Sequence, residues 1–157
     1  MFEMDAYSSG PIEESLLAKK EKEWGCKLPD SYRTFLLRFN GGRPKKDVFN
    51  FKNSNNGSNI DFFLGLVPDD DDLDIDEHLD CYRKRLPESF FPIAYDSGGN
   101  LICISTAADD IGKVYFWDHE LEADINQGQS PETVDNTILI ADDFDEFLHG
   151  LKEKQMA

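Results

Sequence analysis

The sequence is poor in the residues that build metal sites, disulfides and membrane spans. Its 157 residues include only three histidines and three widely spaced cysteines, Cys26, Cys81 and Cys103, with no CxxC pair. This spacing indicates neither a disulfide framework nor a zinc knuckle. The longest apolar stretch, around "FFLGLV", is too short to cross a bilayer, and the N-terminus has acids where a signal peptide has a basic start. We therefore expect a cytoplasmic protein with reduced thiols and no membrane contact.

The motifs of several enzyme and ligand classes are also missing. The chain has no GxxxxGK[ST] or GxGxxG pattern and no Gly-x-Ser-x-Gly elbow, and the "SGG" after Asp96 is better explained by a tight hairpin turn. An EF-hand loop needs Gly at its sixth position, where a start at Asp70 places Ile75 and a start at Asp72 places Glu77. We expect no cofactor and no specific metal site.

Basic residues are unevenly distributed, although the net charge is −16. Residues 19–52 contain ten Lys and Arg against four acids, whereas residues 53–157 contain six against twenty-four, and none lies between Val114 and Leu151. The stretch "DDDDLDIDEHLD" at 69–80 holds eight acids. Such a surface repels nucleic acid and attracts basic partners, although solubility alone is an alternative explanation. We expect no direct nucleic-acid binding.

Hydrophobic periodicity predicts a single α+β domain over residues 1–157. The 39 % hydrophobic content is enough for a folded core. Helix start and stop signals predict one helix between Gly10 and Gly25. They predict another, the third in chain order, after the acidic stretch and ending before Pro87. The apolar spacing i, i+3, i+4, i+7 predicts the second helix from Tyr32 to Phe39 and a closing helix from Phe144 to Leu151, with Asp142 as its cap.

The strands predicted from alternation form a mixed or mostly antiparallel sheet, because the turns between them are too short for parallel crossovers. Helices at the N-terminus and one at the C-terminus flank this sheet. In "NIDFFLGL" we expect Ile60, Phe62, Leu64 and Leu66 on one face. The predicted strands are "DVFNF", "NIDFFLGL", the two arms of "FFPIAYDSGGNLICIS", and "GKVYFWDHE".

The end of "GKVYFWDHE" is the strongest candidate for catalysis. Asp118, His119 and Glu120 are consecutive, and a strand sends successive side chains to opposite faces, so a triad is not expected. Val114 and Phe116 should face one side of the sheet, and Tyr115 and Trp117 the other. Cys103 with His119, as nucleophile and base across a hairpin, remains an alternative, although a small core hydrophobe is more typical of "LICIS".

An ordered set of motifs, from about residue 11 to 151, resembles the SUKH superfamily, which includes the fungal Smi/Knr cell-wall-synthesis regulators and many bacterial proteins. The resemblance implies a domain core at about 11–151. The block "FPIAYDSGGNLICIS" is similar to the family's Pro-Ile-Ala-x-Asp-x-x-Gly-Asn motif, and "IADDFDEFLHGL" to its closing helix. The N-terminal signature is an acidic helix, a Leu-Pro-x-x-Tyr step, a Phe-Leu pair and an Asn-Gly-Gly end. These fall on Glu21–Glu23 with Trp24, on Leu28, Pro29 and Tyr32, on Phe35 and Leu36, and on Asn40, Gly41 and Gly42.

The resemblance implies an α+β fold and, for bacterial members, an immunity role in which the protein neutralises a cognate toxin, often a nuclease. It implies no catalytic set, so we expect no enzyme. A non-catalytic regulatory or scaffold protein of the cell-wall-regulator type is the alternative, and a hydrolase using Asp118 or His119 is a third. The leading hypothesis is that an acidic surface binds a basic toxin. Its predicted partner-binding residues are Asp69, Asp70, Asp71, Asp72, Asp74, Asp76, Asp96, Trp117, Asp118, His119 and Glu120.

Overall fold

A five-stranded antiparallel sheet forms the centre of the fold. The computed structural model describes residues 2–5 and 8–153. Sequential strands are neighbours throughout this sheet, in the order β3-β4-β5-β6-β7, which is a meander. A separate hairpin pairs β1 with β2. The strands are β1 (Val48–Asn50), β2 (Gly57–Asn59), β3 (Phe62–Phe63), β4 (Phe90–Tyr95), β5 (Leu101–Ser105), β6 (Val114–Trp117) and β7 (Thr137–Ala141).

Four α-helices surround the sheet: α1 (Glu14–Trp24), α2 (Asp30–Phe39), α3 (Ile75–Cys81) and α4 (Phe144–His149). Two short 3-10 turns, His119–Leu121 and Ile125–Gln127, follow β6. The predicted α+β class is therefore confirmed, with sheets that are antiparallel. No helix in residues 2–5 and 8–153 is long and apolar enough to cross a membrane.

Both faces of the sheet are covered, because alternate residues of each central strand enter different cores. Ile102 and Ile104 of β5 join a large core that also contains Tyr32 of α2 and Phe144 of α4. Leu101 and Cys103 belong to a smaller core on the opposite face, which includes Leu86 and Trp117. The strand β5 is accordingly buried along its whole length.

The expected alternation in β6 is confirmed. Val114 and Phe116 lie in the large core, Trp117 lies in the small one, and Tyr115 stacks on Phe90 beside that small core.

The helix ends follow the predicted residues at two places and differ at two. Gly25 and Asn40 adopt the left-handed conformation directly after α1 and α2, with φ of 76° and 50°. The helix α3 ends at Cys81, and turns replace the predicted helix up to Pro87. The cap of α4 is Asp143, not Asp142, because the Asp143 carboxylate accepts the Glu146 N–H.

The segment "NIDFFLGL" is not one alternating strand. It contains the end of β2, a bend at Asp61, and the two-residue strand β3. Because the chain turns at this bend, Phe63 is buried and Phe62 only half-buried, contrary to the expected alternation. Strand β7 lies in "TILIA", which the periodicity did not predict, since Ile138 points outward at the sheet edge.

Candidate functional site: an acidic face

The acidic stretch forms a closed loop between β3 and α3, which we call the acidic loop (residues 66–74). Backbone hydrogen bonds join its two ends: Gly65 N–H donates to Leu73 O at 2.9 Å, and Ile75 N–H donates to Gly65 O at 2.8 Å. The loop therefore projects its middle residues away from the core. These are the tip acids Asp69–Asp72, of which Asp69, Asp71 and Asp72 are exposed and Asp70 is intermediate.

The buried Asn40 amide anchors the acidic loop to α2. Its Oδ1 accepts the Leu66 N–H at 2.6 Å and its Nδ2 donates to Leu66 O at 3.1 Å, while the residue is only 4 % exposed. Gly65 makes this approach possible, because a Cβ there would lie 2.3 Å from Asn40 O. The Asn-Gly-Gly helix end thus has a second purpose, which the sequence pattern did not reveal.

Asp74 is part of the scaffold of the loop rather than an exposed binding residue. Its carboxylate accepts the Val67 N–H at 3.0 Å and, as the cap of α3, the Glu77 N–H at 3.3 Å. The residue is 8 % exposed. This corrects the sequence-based assignment of Asp74 to the binding surface, because both bonds hold its carboxylate inward.

Asp76 connects α3 to α1. Its carboxylate accepts hydrogen bonds from Lys20 Nζ at 2.5 Å and Trp24 Nε1 at 2.7 Å. Partial burial by itself would raise the pKa of Asp76, but the bonds from Lys20 and Trp24 together lower it below its ordinary value. Asp76 is therefore already paired, and its charge contributes less to an outer surface than the tip acids do.

The tip acids have no comparable partners. Among the described residues, none of Asp69–Asp72 forms an ion pair within 4.0 Å, and neither does Glu77 on α3. Among the described residues, the one side-chain hydrogen bond at the tip is internal, from Asp72 N–H to Asp70 Oδ1 at 3.1 Å. These neighbouring carboxylates repel one another and project an uncompensated negative field.

Asp96 builds the turn between β4 and β5. Its carboxylate accepts the N–H groups of Gly98 at 2.9 Å and Asn100 at 2.8 Å, and also the Ser58 hydroxyl at 2.8 Å. It is 5 % exposed. The prediction that Asp96 contacts a partner is therefore corrected, since its hydrogen-bonding capacity is used within the turn.

His119 is held beside this turn by Asn100. The Asn100 Oδ1 accepts the His119 backbone N–H at 3.1 Å and lies 2.7 Å from His119 Nδ1. An amide oxygen accepts only, so Nδ1 carries the proton and Nε2 is the acceptor nitrogen of the neutral ring. Asp118 caps the following 3-10 turn, because its carboxylate accepts the Glu120 N–H at 3.0 Å. The Glu120 residue is exposed.

Trp117 is a core residue, contrary to its expected position as an interface anchor. Its side chain is 1 % exposed because β6 directs it into the small core. There it packs edge-to-face against Tyr82, with ring centroids 5.7 Å apart. Trp117 therefore supports a half-buried tyrosine, and the surface contains Tyr82 instead.

The alternative pairing of Cys103 with His119 has no geometric support. Cys103 is 0 % exposed in the small core, and burial raises the pKa of its thiol well above the ordinary range. His119 bonds to Asn100 instead. Residues 2–5 and 8–153 contain no group of three or more His, Cys, Asp or Glu side chains arranged to hold a metal ion.

A pocket connects the acidic loop to the β4–β5 turn. It has a volume of about 470 Å³, and it lies between the loop tip, α3 and the turn. Leu101 is buried beneath it and Gly99 lies at its edge, next to the His119 ring. Its polar and aromatic lining comes from Asp71, Asp72, Glu77, His78, Tyr82 and Tyr95.

Four of these lining residues, Glu77, His78, Tyr82 and Tyr95, were not among the predicted partner-binding residues. The available signal was the spacing of His78 and Tyr82, which are four apart and share one side of the chain near α3. Tyr95 gave no such signal, because a tyrosine in a strand beside a turn is an ordinary sheet residue.

The sequence matches the SMI1/KNR4 family (SUKH-1) over residues 11–150. The chain belongs to this family. It is also 30 % identical over 156 residues to the SPbeta prophage-derived uncharacterized protein YokK of Bacillus subtilis (strain 168), a match that covers 88 % of this chain and 73 % of that protein. The SUKH resemblance inferred from the ordered motifs is thus confirmed, as is the α+β fold that goes with it.

Two of the motifs that carried the resemblance supply scaffold residues of the acidic face. Asn40 and Asp96, which fall in these motifs, each bond to backbone groups of a turn or loop. Among the tip acids of the described structure, Asp70 accepts the Asp72 N–H within the tip itself. The residues that contact a partner stay a prediction.

Proposed function

We propose that this SMI1/KNR4 protein is a cytoplasmic immunity protein that binds and neutralises a basic toxin, such as a nuclease, through its acidic face. The observation that carries the proposal is the cluster of carboxylates at the loop tip, Asp69–Asp72, which form no ion pair among the described residues and lie beside a pocket. Carboxylates without internal partners contribute little to folding, so a partner-binding role explains their concentration. Exposed Glu120, at the far side of the β4–β5 turn, extends the same surface.

The mode of action follows from charge. A nuclease binds phosphates with a positively charged groove, and an acidic face complements that groove in the same way that nucleic acid does. Complementary potentials raise the association rate, and docking then blocks substrate access. The protein performs no chemistry in this scheme.

The similarity to YokK, a prophage-derived protein, is consistent with a gene carried by a mobile element. The case for the immunity role of this chain depends on its own acidic face.

The decisive experiment is co-expression with a basic toxin encoded next to the gene. We expect rescue of growth and a stable one-to-one complex that weakens as salt is raised, because exposed charges are screened within about 10 Å at 0.1 M ionic strength. The triple variant Asp69→Asn, Asp71→Asn, Asp72→Asn should associate more slowly and rescue less well.

The matched control removes three negative charges elsewhere, with Asp109→Asn, Asp135→Asn and Glu153→Gln, all exposed. It should rescue like the wild type. Binding that ignores both salt and the tip substitutions would contradict the acidic-docking scheme. No rescue and no complex with any such toxin would favour a regulatory or scaffold protein instead.

A further inference from the structure

The pocket between the acidic loop and the β4–β5 turn combines carboxylates with aromatic rings. Asp71, Asp72 and Glu77 line it without an ion-pair partner among the described residues. The His78 ring lies nearly parallel to the rings of Tyr95 and Tyr82, at interplanar angles of 10° and 15°. A cavity of about 470 Å³ with this lining differs from an open acidic surface, because it offers depth and ring faces as well as charge.

We propose that this pocket receives one arginine side chain of the basic partner. The inference rests on the proposed docking function and names the contact at its centre. A guanidinium group is planar, so it can lie against a tyrosine or histidine ring while its N–H groups donate to two carboxylates. A lysine ammonium offers neither the flat surface nor the forked donor geometry.

The chain itself places an arginine on one ring that lines this pocket. Arg85 lies 4.4 Å from the centroid of Tyr82. Outside the lining, Arg43 lies 5.4 Å from the centroid of Phe62, which packs against Tyr95. Arg85 is paired with Glu122 at 2.8 Å, so it does not neutralise the pocket acids. The ring of Tyr95 carries no such arginine among the described contacts, and it faces the cavity that the acids line.

The hydrogen-bond state of His78 also suits a donor. Its Nδ1 lies 2.9 Å from the backbone carbonyl of Asp74, which only accepts, so Nδ1 carries the proton. When the ring is neutral, Nε2 is therefore its acceptor nitrogen. The field of the loop acids reaches the opposite wall: burial first, and then Asp61, Asp72 and Asp70, raise the pKa of Tyr95 to about 12.

Cys81 provides a reporter, because it lines the pocket and is exposed. In a Cys26→Ser background it is the one accessible thiol, since Cys103 is buried. We expect a cationic methanethiosulfonate reagent to modify Cys81 about 10-fold faster than an anionic one of similar size at low salt. Arg85 lies 4.0 Å from the Cys81 sulfur, but this contact is the same in every variant and cancels in comparisons.

Neutralising the pocket with Asp71→Asn, Asp72→Asn and Glu77→Gln should bring that rate ratio close to the value for the unfolded chain. The control triple Asp109→Asn, Asp135→Asn, Glu153→Gln makes the same chemical changes elsewhere and should keep the wild-type ratio. Equal ratios in the two triple variants would overturn the assignment of the field to the pocket acids.

Arginine selectivity is tested with three short peptides that differ only at one residue: arginine, lysine or the neutral isostere citrulline. The arginine peptide should slow modification of Cys81 by neutral iodoacetamide more than the lysine peptide, and the citrulline peptide should not slow it. Equal protection by all three, or by arginine and lysine, would overturn the guanidinium assignment.

These results are independent of the toxin. Arginine-specific protection without any toxin complex would support the arginine pocket and reject the immunity role. A salt-sensitive toxin complex that is unchanged by Glu77→Gln, with no arginine-specific protection, would support the immunity role and reject the arginine pocket.

Discussion

The base and the tip of the acidic loop differ in how their carboxylates are satisfied. At the base, Asp74 accepts two backbone N–H groups and the nearby Asp76 accepts from Lys20 and Trp24. At the tip, Asp71 and Asp72 form no ion pair among the described residues. The comparison teaches that residue type and local charge density do not determine the role of an acidic residue. Its role depends on whether its carboxylate oxygens already have hydrogen-bond partners inside the fold.

The strongest test of this division replaces Gly65, where the loop meets α2. Gly65→Ala places a Cβ 2.3 Å from the Asn40 carbonyl oxygen, so the loop base must move. We expect a loss of about 3 kcal/mol in the free energy of unfolding, measured by urea denaturation. Gly128→Ala is the control for exposed turns, because nothing lies within 4 Å of its added Cβ, although its φ of 80° gives it a smaller cost of its own. Equal losses in the two variants would show that the Asn40 contact does not hold the loop.

The second test compares a base acid with a tip acid. Asp74→Ala removes the α3 cap and leaves the Val67 N–H without its partner, so we expect a loss of about 2 kcal/mol. Asp72→Ala deletes the same side chain two residues earlier and should change stability by less than about 0.5 kcal/mol. Thermal and urea unfolding of both variants measure the difference. Similar losses in the free energy of unfolding would show that the base and tip acids do not differ in structural role.

The third test uses the pH dependence of Asp76. Its pKa is lowered in the folded protein, so its stabilisation is present above the ordinary value of 3.8 and is lost as the pH falls through the folded value. Asp76→Asn should therefore cost about 1 kcal/mol at pH 7, since the pair is partly exposed, and the two proteins should converge in acid. Urea titrations from pH 7 downward measure this. Asp80→Asn, in an exposed pair with Arg83, is the control, and the same convergence there would contradict the assignment to Asp76.

The smallest effect is expected at the tip. Substituting Asp71 and Asp72 by Asn relieves repulsion between neighbouring carboxylates, so stability should stay within about 0.5 kcal/mol and, if it changes, rise. Added salt should stabilise the wild type more than this variant, because screening removes the same repulsion. A clear loss of stability in the variant, at any salt concentration, would show that the tip acids have structural partners.

The predictions from sequence were most accurate where a pattern reflects a local rule. The left-handed ends at Gly25 and Asn40, the β4–β5 hairpin and the alternation in β6 were all predicted, because each depends on residues close in the chain. The patterns failed where distant contacts compete with local ones. The chain bends at Asp61 to pair β3 with β4, and α3 stops at Cys81 because Tyr82 and Leu86 pack on the small core.

For the site, the sequence located the acid-rich segment but could not sort its members. The six aspartates between positions 69 and 76 are one residue type in one short segment, and a hydrogen bond from Lys20, 56 residues away, separates Asp76 from the rest. Trp117 was misplaced for a related reason. Strand alternation assigns it a face of the sheet, but only the packing of Tyr82 and Leu86 on that face makes it buried.

The sequence by itself determined the α+β class, the SUKH resemblance and the concentration of negative charge, since these depend on composition, periodicity and the order of short motifs. The tertiary structure alone decided which carboxylates are satisfied and which are not. It also decided that Tyr95, from a strand, and His78, from α3, line one pocket with the loop acids. The physical reason is that burial and hydrogen-bond partners come from residues far apart in the chain, and no local pattern encodes which of them meet.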